Sequence, residues 1–364
     1  MRFFLRFFAA GVVLASLAAC SLPRGAAGQA EVLRDTARAD ADVAVYTVDR
    51  ALLAKMADWP HPDRGRFAGW IAHRGRGGGV RIAPGDRLNL AIWDSGQNSL
   101  LAAPGQKAVP LDGVEVAPDG TIFVPYLDRI KVAGLTPVQA RQTIQGKLGA
   151  IIASAQVQLS LRAGRGNSVD LVGGVERAGS YPLAERDLTV LGLLSLGGGI
   201  PAPLRNPQIR LLREGQVHAI SAARLYDDPR LDTVLRGGDK VIVQEDKRYF
   251  LALGAAGHEN QIPFRQDRVS ALDAVSMIGG VSQTRGDPGG VLILRHYSPR
   301  AGRPGPSKAR VVFAVDLTHA DGLFSAGQFR IMPGDVVLVT ESPVTSVRTI
   351  FGLIGQALGI SRRL

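Results

Sequence analysis

The 364 residues contain a single cysteine, Cys20, so no disulfide can close within the chain and no thiolate cluster can bind zinc. Histidine is nearly as scarce. His61, His73, His218, His258, His296 and His319 form no i, i+4 pair and have no cysteine nearby, which leaves no metal site with recognisable spacing. Aromatics make up 6% of the chain and are not interleaved with the basic residues, as a stacking platform for single-stranded nucleic acid requires. No G-x-S-x-G elbow occurs, and Gly146-Lys147 lacks both the upstream glycine and the Ser/Thr of a phosphate loop. The glycine runs at 75–79 and 197–199 do not join a strand to a helix, so a dinucleotide site is excluded. Asp119, Asp239 and Asp335 follow Gly or Pro at turns, where aspartate caps the backbone, and no carboxylate pair stands out as catalytic. These absences predict a protein that is not an enzyme and carries no metal or cofactor.

What is present is bulk, glycine and positive charge. A chain of this length holds two or three domains, and 44 glycines imply many turns joining short strands. The net charge of +11 drops to +9 if Arg2 and Arg6 leave with a leader. Such an excess suits an anionic polymer or is simply a solvated basic surface; the sequence leaves both open. Residues 1–19 have the build of a secretory signal: a basic start, an apolar run over 7–17, then small residues. Leu17-Ala18-Ala19-Cys20 is the pattern of a bacterial lipoprotein signal, making Cys20 the expected lipidation site, and Ser21 is compatible with outer-membrane sorting. Acyl chains there would anchor the protein, at ~0.8 kcal/mol per buried CH₂.

Residues 20–79 read as a tether and linker, with an Arg- and Gly-rich end at 73–79. Within it, Val43, Val45, Leu52 and Leu53 could add a strand and a helix to a later domain. Trp59, Trp70 and Trp93 could stack on sugar rings or fill a core or a subunit interface.

The densest pattern lies in 80–148. Pro84-Gly85-Asp86 is a tight turn feeding a strand with Leu88, Leu90 and Ile92 on one face and Asn89 and Ala91 on the other. Pro118-Asp119-Gly120 feeds a second strand, Ile122-Phe123-Val124, and 131–134 ends a third. Thr136 is the expected N-cap of a helix with Pro137 at its first position, and Val138, Ile144 and Leu148 recur along it. This succession of motifs resembles the export domain of bacterial outer-membrane polysaccharide export lipoproteins, the translocons for capsule and exopolysaccharide. Asp128 departs from it, standing where a glycine is expected after Pro125-Tyr126-Leu127.

Two related copies follow. Val172-Gly173, Pro182, Thr189, Leu191 and Gly198-Gly199 reappear 81 residues on as Leu253-Gly254, Pro263, Ser270, Leu272 and Gly279-Gly280. The closing G-D of each copy, Gly238-Asp239 and Gly334-Asp335, is offset by 96, so the second copy holds extra residues, expected in a Pro-, Gly- and Arg-rich loop at 298–309. Ser270 with Asp273 is a capping-box pattern, Thr189 is a second helix cap, and each Gly-Gly suits a left-handed helix end. The architecture is similar to the soluble-ligand-binding β-grasp domain, two of which follow the export domain in this family.

In 344–364, at ~100° per residue, Ile350, Phe351, Leu353, Ile354 and Leu358 share one half of a helical wheel with Val347, Ala357 and Ile360. Arg348, Gly352, Gly355, Gln356 and Gly359 hold the other. Seventeen to twenty residues at ~1.5 Å rise reach about one hydrocarbon thickness. The residues fit either a helix lining a membrane pore or an amphipathic helix packed on the preceding domain. The family resemblance implies the first, with helices of several subunits forming a barrel through the outer membrane.

The expectation is therefore a multidomain α+β chain: signal 1–19, tether and linker 20–79, export domain 80–165, β-grasp copies 166–246 and 247–342, and a helix at 343–364. The resemblance implies a lipid-anchored, mostly periplasmic outer-membrane channel for polysaccharide. It also implies a homo-oligomeric ring of about eight subunits and an inner-membrane co-polymerase or tyrosine kinase as partner, with no nucleic acid. The rival expectation is a periplasmic lipoprotein that binds a glycan or small ligand and forms no pore.

Overall fold

A computed structural model describes residues 26–34, 36, 41–60, 69–72, 80–94, 108–183, 187–298 and 304–343. The chain divides into two compact units, Gly65–Asp246 and the pair Met1–Arg64 with Lys247–Leu364. The class is mixed α+β, as expected. Three short elements come first: α1 (Gln29–Arg34), β1 (Val43–Thr47) and α2 (Arg50–Met56). Asp49 caps α2, its Oδ1 accepting the Leu52 N–H at 2.7 Å.

In Gly65–Asp246, β2 (Arg87–Trp93) is the middle of a three-stranded antiparallel sheet, between β3 (Ala108–Glu115) and β6 (Gln156–Arg162). The alternation read from sequence is realised: Leu88, Leu90 and Ile92 are buried, each contributing roughly 1.5–3 kcal/mol. Between β3 and β6 lie the hairpin of β4 (Thr121–Val124) and β5 (Asp128–Lys131) and then α3 (Pro137–Gly149). Thr136 and Gln139 form a full capping box at the start of α3, with bonds of 2.9 and 3.2 Å. The buried stripe of α3 is Ala140, Ile144 and Leu148; Val138 is 51% exposed. That corrects the expected face, because six residues at ~100° each put Val138 well off the line of Ile144.

The same unit continues through β7 (Ser168–Gly173), β8 (Gly179–Pro182), α4 (Val190–Leu196), β9 (Gln208–Arg213), β10 (Gln216–Ser221), α5 (Ala222–Asp227) and β11 (Lys240–Gln244). These strands form a sheet of order β10-β9-β11-β7-β8 in which β7 and β11 are parallel. The other unit carries β12 (Tyr249–Gly254), β13 (Asn260–Pro263), α6 (Ala271–Met277), β14 (Gly286–His296), β15 (Arg310–Val315), α7 (Ala320–Gln328) and β16 (Val336–Glu341). Its sheet runs β1-β15-β14-β16-β12-β13, the same order with β1 added in parallel beyond β15. The repeat seen in sequence is thus a repeat of topology, and its extra residues fall mainly between β14 and β15, part of which (299–303) lies outside the described residues.

Both copies end their first helix alike. Gly199 donates to Leu194 O at 2.8 Å and Gly280 to Val275 O at 2.8 Å, with Thr189 and Ser270 as the N-caps. The second copy's core also takes in Trp59, whose ring meets Tyr46 at 5.3 Å and Tyr297 at 5.8 Å.

One turn occurs three times. At Gly85, Gly238 and Gly334 φ is +84°, +83° and +85°, which only glycine adopts without strain. Each following aspartate is buried, its N–H donating to the carbonyl three residues back at 3.1 Å, in Ala83, Arg236 and Met332. Each carboxylate in return accepts the N–H of that same residue, at 2.8, 2.8 and 2.7 Å. Beyond the turn the partners differ. Asp86 accepts from Asn167 Nδ2 at 2.6 Å, Asp239 pairs with Arg213 at 2.5 Å, and Asp335 with Arg295 at 2.7 Å. Pro precedes the glycine in two turns, as a type II turn favours, but Gly237 does so in the third. There a Cβ would run into the carbonyl oxygen of Gly166.

Asp335→Asn leaves the Arg295 cation buried without its counter-charge and should cost about 3–5 kcal/mol. Asp86→Asn, whose partners are neutral N–H donors, should cost about 1–3 kcal/mol. Denaturant unfolding of the full chain compares the two, and equal losses would contradict this account. Gly237→Ala should destabilise by about 1–3 kcal/mol through forced backbone movement, read from the melting temperature, whereas Pro333→Gly should lose only about 0.4–1 kcal/mol through added chain entropy.

Candidate functional site

Cys20 and the helix residues Ile350, Phe351, Leu353, Ile354 and Leu358 lie outside the described residues. Among the described residues no helix is long and apolar enough to cross a membrane, and no cluster of His, Cys, Asp and Glu could hold a metal. The described candidate is in the export region, at the end of the sheet where β2 begins.

The antiparallel register sets Arg87 of β2 between Glu115 on β3 and Arg162 on β6. Past β6, the loop through Ala163 and Gly164 brings Arg165 to the same place, and together they line an open cleft of ≈ 390 Å³. Arg87 Nη2 lies 3.9 Å from Glu115 Oε2, with both side chains 65% exposed, so this pair is worth at most about 1 kcal/mol. Arg162 and Arg165 make no ion pair with a described residue. The cleft is therefore cationic, with three guanidinium groups against one carboxylate.

Its floor is rigid. Buried Asp86 accepts the N–H of Ala83 at 2.8 Å and of Gly164 at 2.7 Å together with the amide of Asn167, clamping the β2 turn to the loop after β6. The two loops touch backbone to backbone, and a Cβ at Gly164 would strike the carbonyl oxygen of Gly85. Asn167 also donates to Arg81 O at 2.7 Å. The arginines thus project from fixed backbone, where flexible side chains can reach an anion without moving the fold.

Asp119, at the next turn, accepts the Thr121 hydroxyl at 2.7 Å and N–H at 3.0 Å. Those bonds, with Arg129 and Lys131 nearby, hold its carboxyl below the ordinary carboxylate range. It is a capped turn residue, as Asp239 and Asp335 are, and not a poised acid. Of the tryptophans, Trp59 is buried, and Trp70 donates its indole N–H to Leu231 O at 2.7 Å. Trp93 stands 48% exposed at the end of β2. Among the histidines, His218 Nδ1 lies 2.6 Å from Gly69 O and His319 caps α7; His61 and His73 are outside the described residues.

Residues 76–162 match the family described as polysaccharide biosynthesis/export protein. The chain is also 28% identical to the capsule polysaccharide export protein BexD of Haemophilus influenzae, over 94% of this chain and 93% of that one. The chain is thus similar to polysaccharide export proteins along nearly its whole length. It is 27% identical to the capsule polysaccharide export outer membrane protein CtrA of Neisseria meningitidis, over 74% of each chain. The EPS I polysaccharide export outer membrane protein EpsA of Ralstonia nicotianae is 29% identical over 75% of this chain and 74% of its own. The family region ends at Arg162, so the cleft joins that region to the loop that follows.

The arginine cluster was not singled out from sequence. Residues 87 and 162 are 75 positions apart, and only the strand pairing brings them together; the available signal was the outward parity of Gln156, Gln158, Ser160 and Arg162 along β6. The departure at Asp128 has a local explanation, since its φ is +54°, the left-handed region that a glycine would fill and that aspartate tolerates. Asp128→Gly should leave thermal stability within about 1 kcal/mol of the natural chain, whereas Asp128→Val should cost roughly 1–2 kcal/mol. Thermal unfolding of the two variants checks this.

Proposed function

We propose that this protein is an outer-membrane, lipid-anchored conduit that passes capsular polysaccharide or exopolysaccharide from the periplasm to the cell surface. The observation that carries the proposal is similarity to a capsule export protein along nearly the whole of both chains, with a polysaccharide export domain at 76–162. In this reading residues 1–19 are a signal, Cys20 takes the lipid, and 20–79 lead into an export domain at 80–165. The β-grasp copies occupy 166–246 and 247–342, and 343–364 form the pore helix with Ile350, Phe351, Leu353, Ile354 and Leu358 toward lipid.

Several copies, about eight, form the ring, and an inner-membrane co-polymerase or tyrosine kinase docks at its periplasmic base. No bond is made or broken. Export works by enclosing a hydrophilic polymer in a wall of protein, so that sugar hydroxyls never face hydrocarbon, where each unmet polar group would cost several kcal/mol.

Two variants test this in the native host. Cys20→Ala should release the protein from the membrane fraction and lower surface polysaccharide, read by immunostaining of intact cells. Truncation after Ser342 should leave a folded protein, by circular dichroism, that supports no surface polymer. Normal export in either strain contradicts the corresponding part of the proposal.

A further inference from the structure

We propose that the cleft at the start of β2 is a subsite for an anionic group, carboxylate or phosphate, carried by the exported polymer; the inference rests on the export reading and names the chemistry of its cargo. Arg87 and Arg162 stand directly opposite each other on neighbouring antiparallel strands, a placement that repels when both residues are charged. Glu115 relieves one of them through an exposed contact of 3.9 Å, and Arg165 adds a third positive group from the loop. A sheet that retains this repulsion at its rim, around an open cleft of ≈ 390 Å³, has an unmet preference for negative charge.

Guanidinium groups suit the task. Their paired N–H donors match the two oxygens of a carboxylate or phosphate, which an exposed lysine would address only as a point charge. The Asp86 clamp fixes the backbone from which Arg87 and Arg165 project, so little ordering accompanies binding. Gly85 adds no side chain to the lining and has open space where a Cβ would stand, giving a sugar ring room beside the charges. The net charge of +9 that remains without Arg2 and Arg6 draws a polyanion toward the protein, and the field weakens as salt rises.

The test is calorimetric titration of the full-length acylated protein in detergent with hexagalacturonate, with its fully methyl-esterified form, and with inorganic phosphate. Hexagalacturonate should bind, with affinity falling as salt rises, and the ester should bind at least tenfold more weakly. Arg87→Gln, Arg162→Gln and Arg165→Gln should each weaken the charged oligomer about tenfold, while Arg265→Gln, an exposed arginine elsewhere, should not. Equal binding of acid and ester, or unchanged binding by the triple variant, overturns the subsite. So does phosphate binding as tightly as the hexamer, which marks a free-ion site. A triple variant that alters only the oligomeric state assigns these arginines to a contact between copies and also overturns it. A gene deletion and the triple variant in the host separate the two levels. Surface polymer persisting in the deletion strain defeats the export reading; polymer lost in the deletion but fully restored by a triple variant with unchanged binding defeats the subsite alone.

Discussion

A buried aspartate one step past a left-handed glycine leads into a strand of three of the four sheets described in this chain. Its carboxylate and its own N–H both bond the residue three positions back, so the turn closes on itself before any tertiary partner is added. The glycine N–H then reaches across the fold, to Val116 O from Gly85, Ser168 O from Gly238 and Tyr249 O from Gly334. In the two repeats those acceptors lie where the first strand begins, and the turn launches the last. The parallel pairs β7–β11 and β12–β16 join residues about 70 to 85 positions apart, a costly closure for a flexible chain. A rigid turn that delivers the last strand already aimed at the first lowers that cost. A buried charge is tolerable there because each acid is fully met by donors.

The two copies solve the same problem with different surroundings. Arg213 meets Asp239 and the carbonyl of Val234, with no aromatic ring stacked on it among the described residues. Arg295 meets Asp335 and Arg330 O, and its guanidinium also sits 5.2 Å from the ring of Phe313 and 5.1 Å from that of Phe329. The N-terminal stretch contributes to both copies. Residues 43–47 cover the edge of β15, while Trp70 and Ile71 pack on the first copy's core, with Thr233 donating to Ile71 O. β1 thereby takes the place of β15 as the edge strand of the longer sheet.

Much of this was legible in sequence, and what was legible was local. The alternation of β2, the Thr136 and Ser270 caps, and the two copies with their 81-residue period could all be read from residue spacing. The exposure of Val138 was a failure of angular bookkeeping on α3. The parallel addition of β1 to β15 and the meeting of Arg87 with Arg162 depend on pairings between distant segments. No periodicity encodes such register. The partners of the three aspartates were hidden for the same reason: each turn announces its cap, but not whether an asparagine or an arginine arrives to complete it. Cys20 and the helix at 344–364 rest on sequence pattern alone, since they lie outside the described residues.

The disposition of charge among the described residues differs from that of a proton-transfer site. An active site works by holding titratable groups near one another in a sheltered place, with pKa values drawn toward neutrality. Here the well-buried acids described above are committed to backbone N–H groups, amides and arginines, and the carboxylates whose pKa values move, such as Asp119 and Asp316, are driven down by neighbouring hydroxyl and amide donors. Asp119 and Asp316 therefore stay ionised near pH 7. The arginines around the cleft are exposed instead, Arg87 and Arg162 on paired strands and Arg165 on the loop after β6. A moving polymer needs many weak contacts and no deep trap, and exposed guanidinium groups in high dielectric supply that balance: strong enough to guide an acidic chain, weak enough to release it.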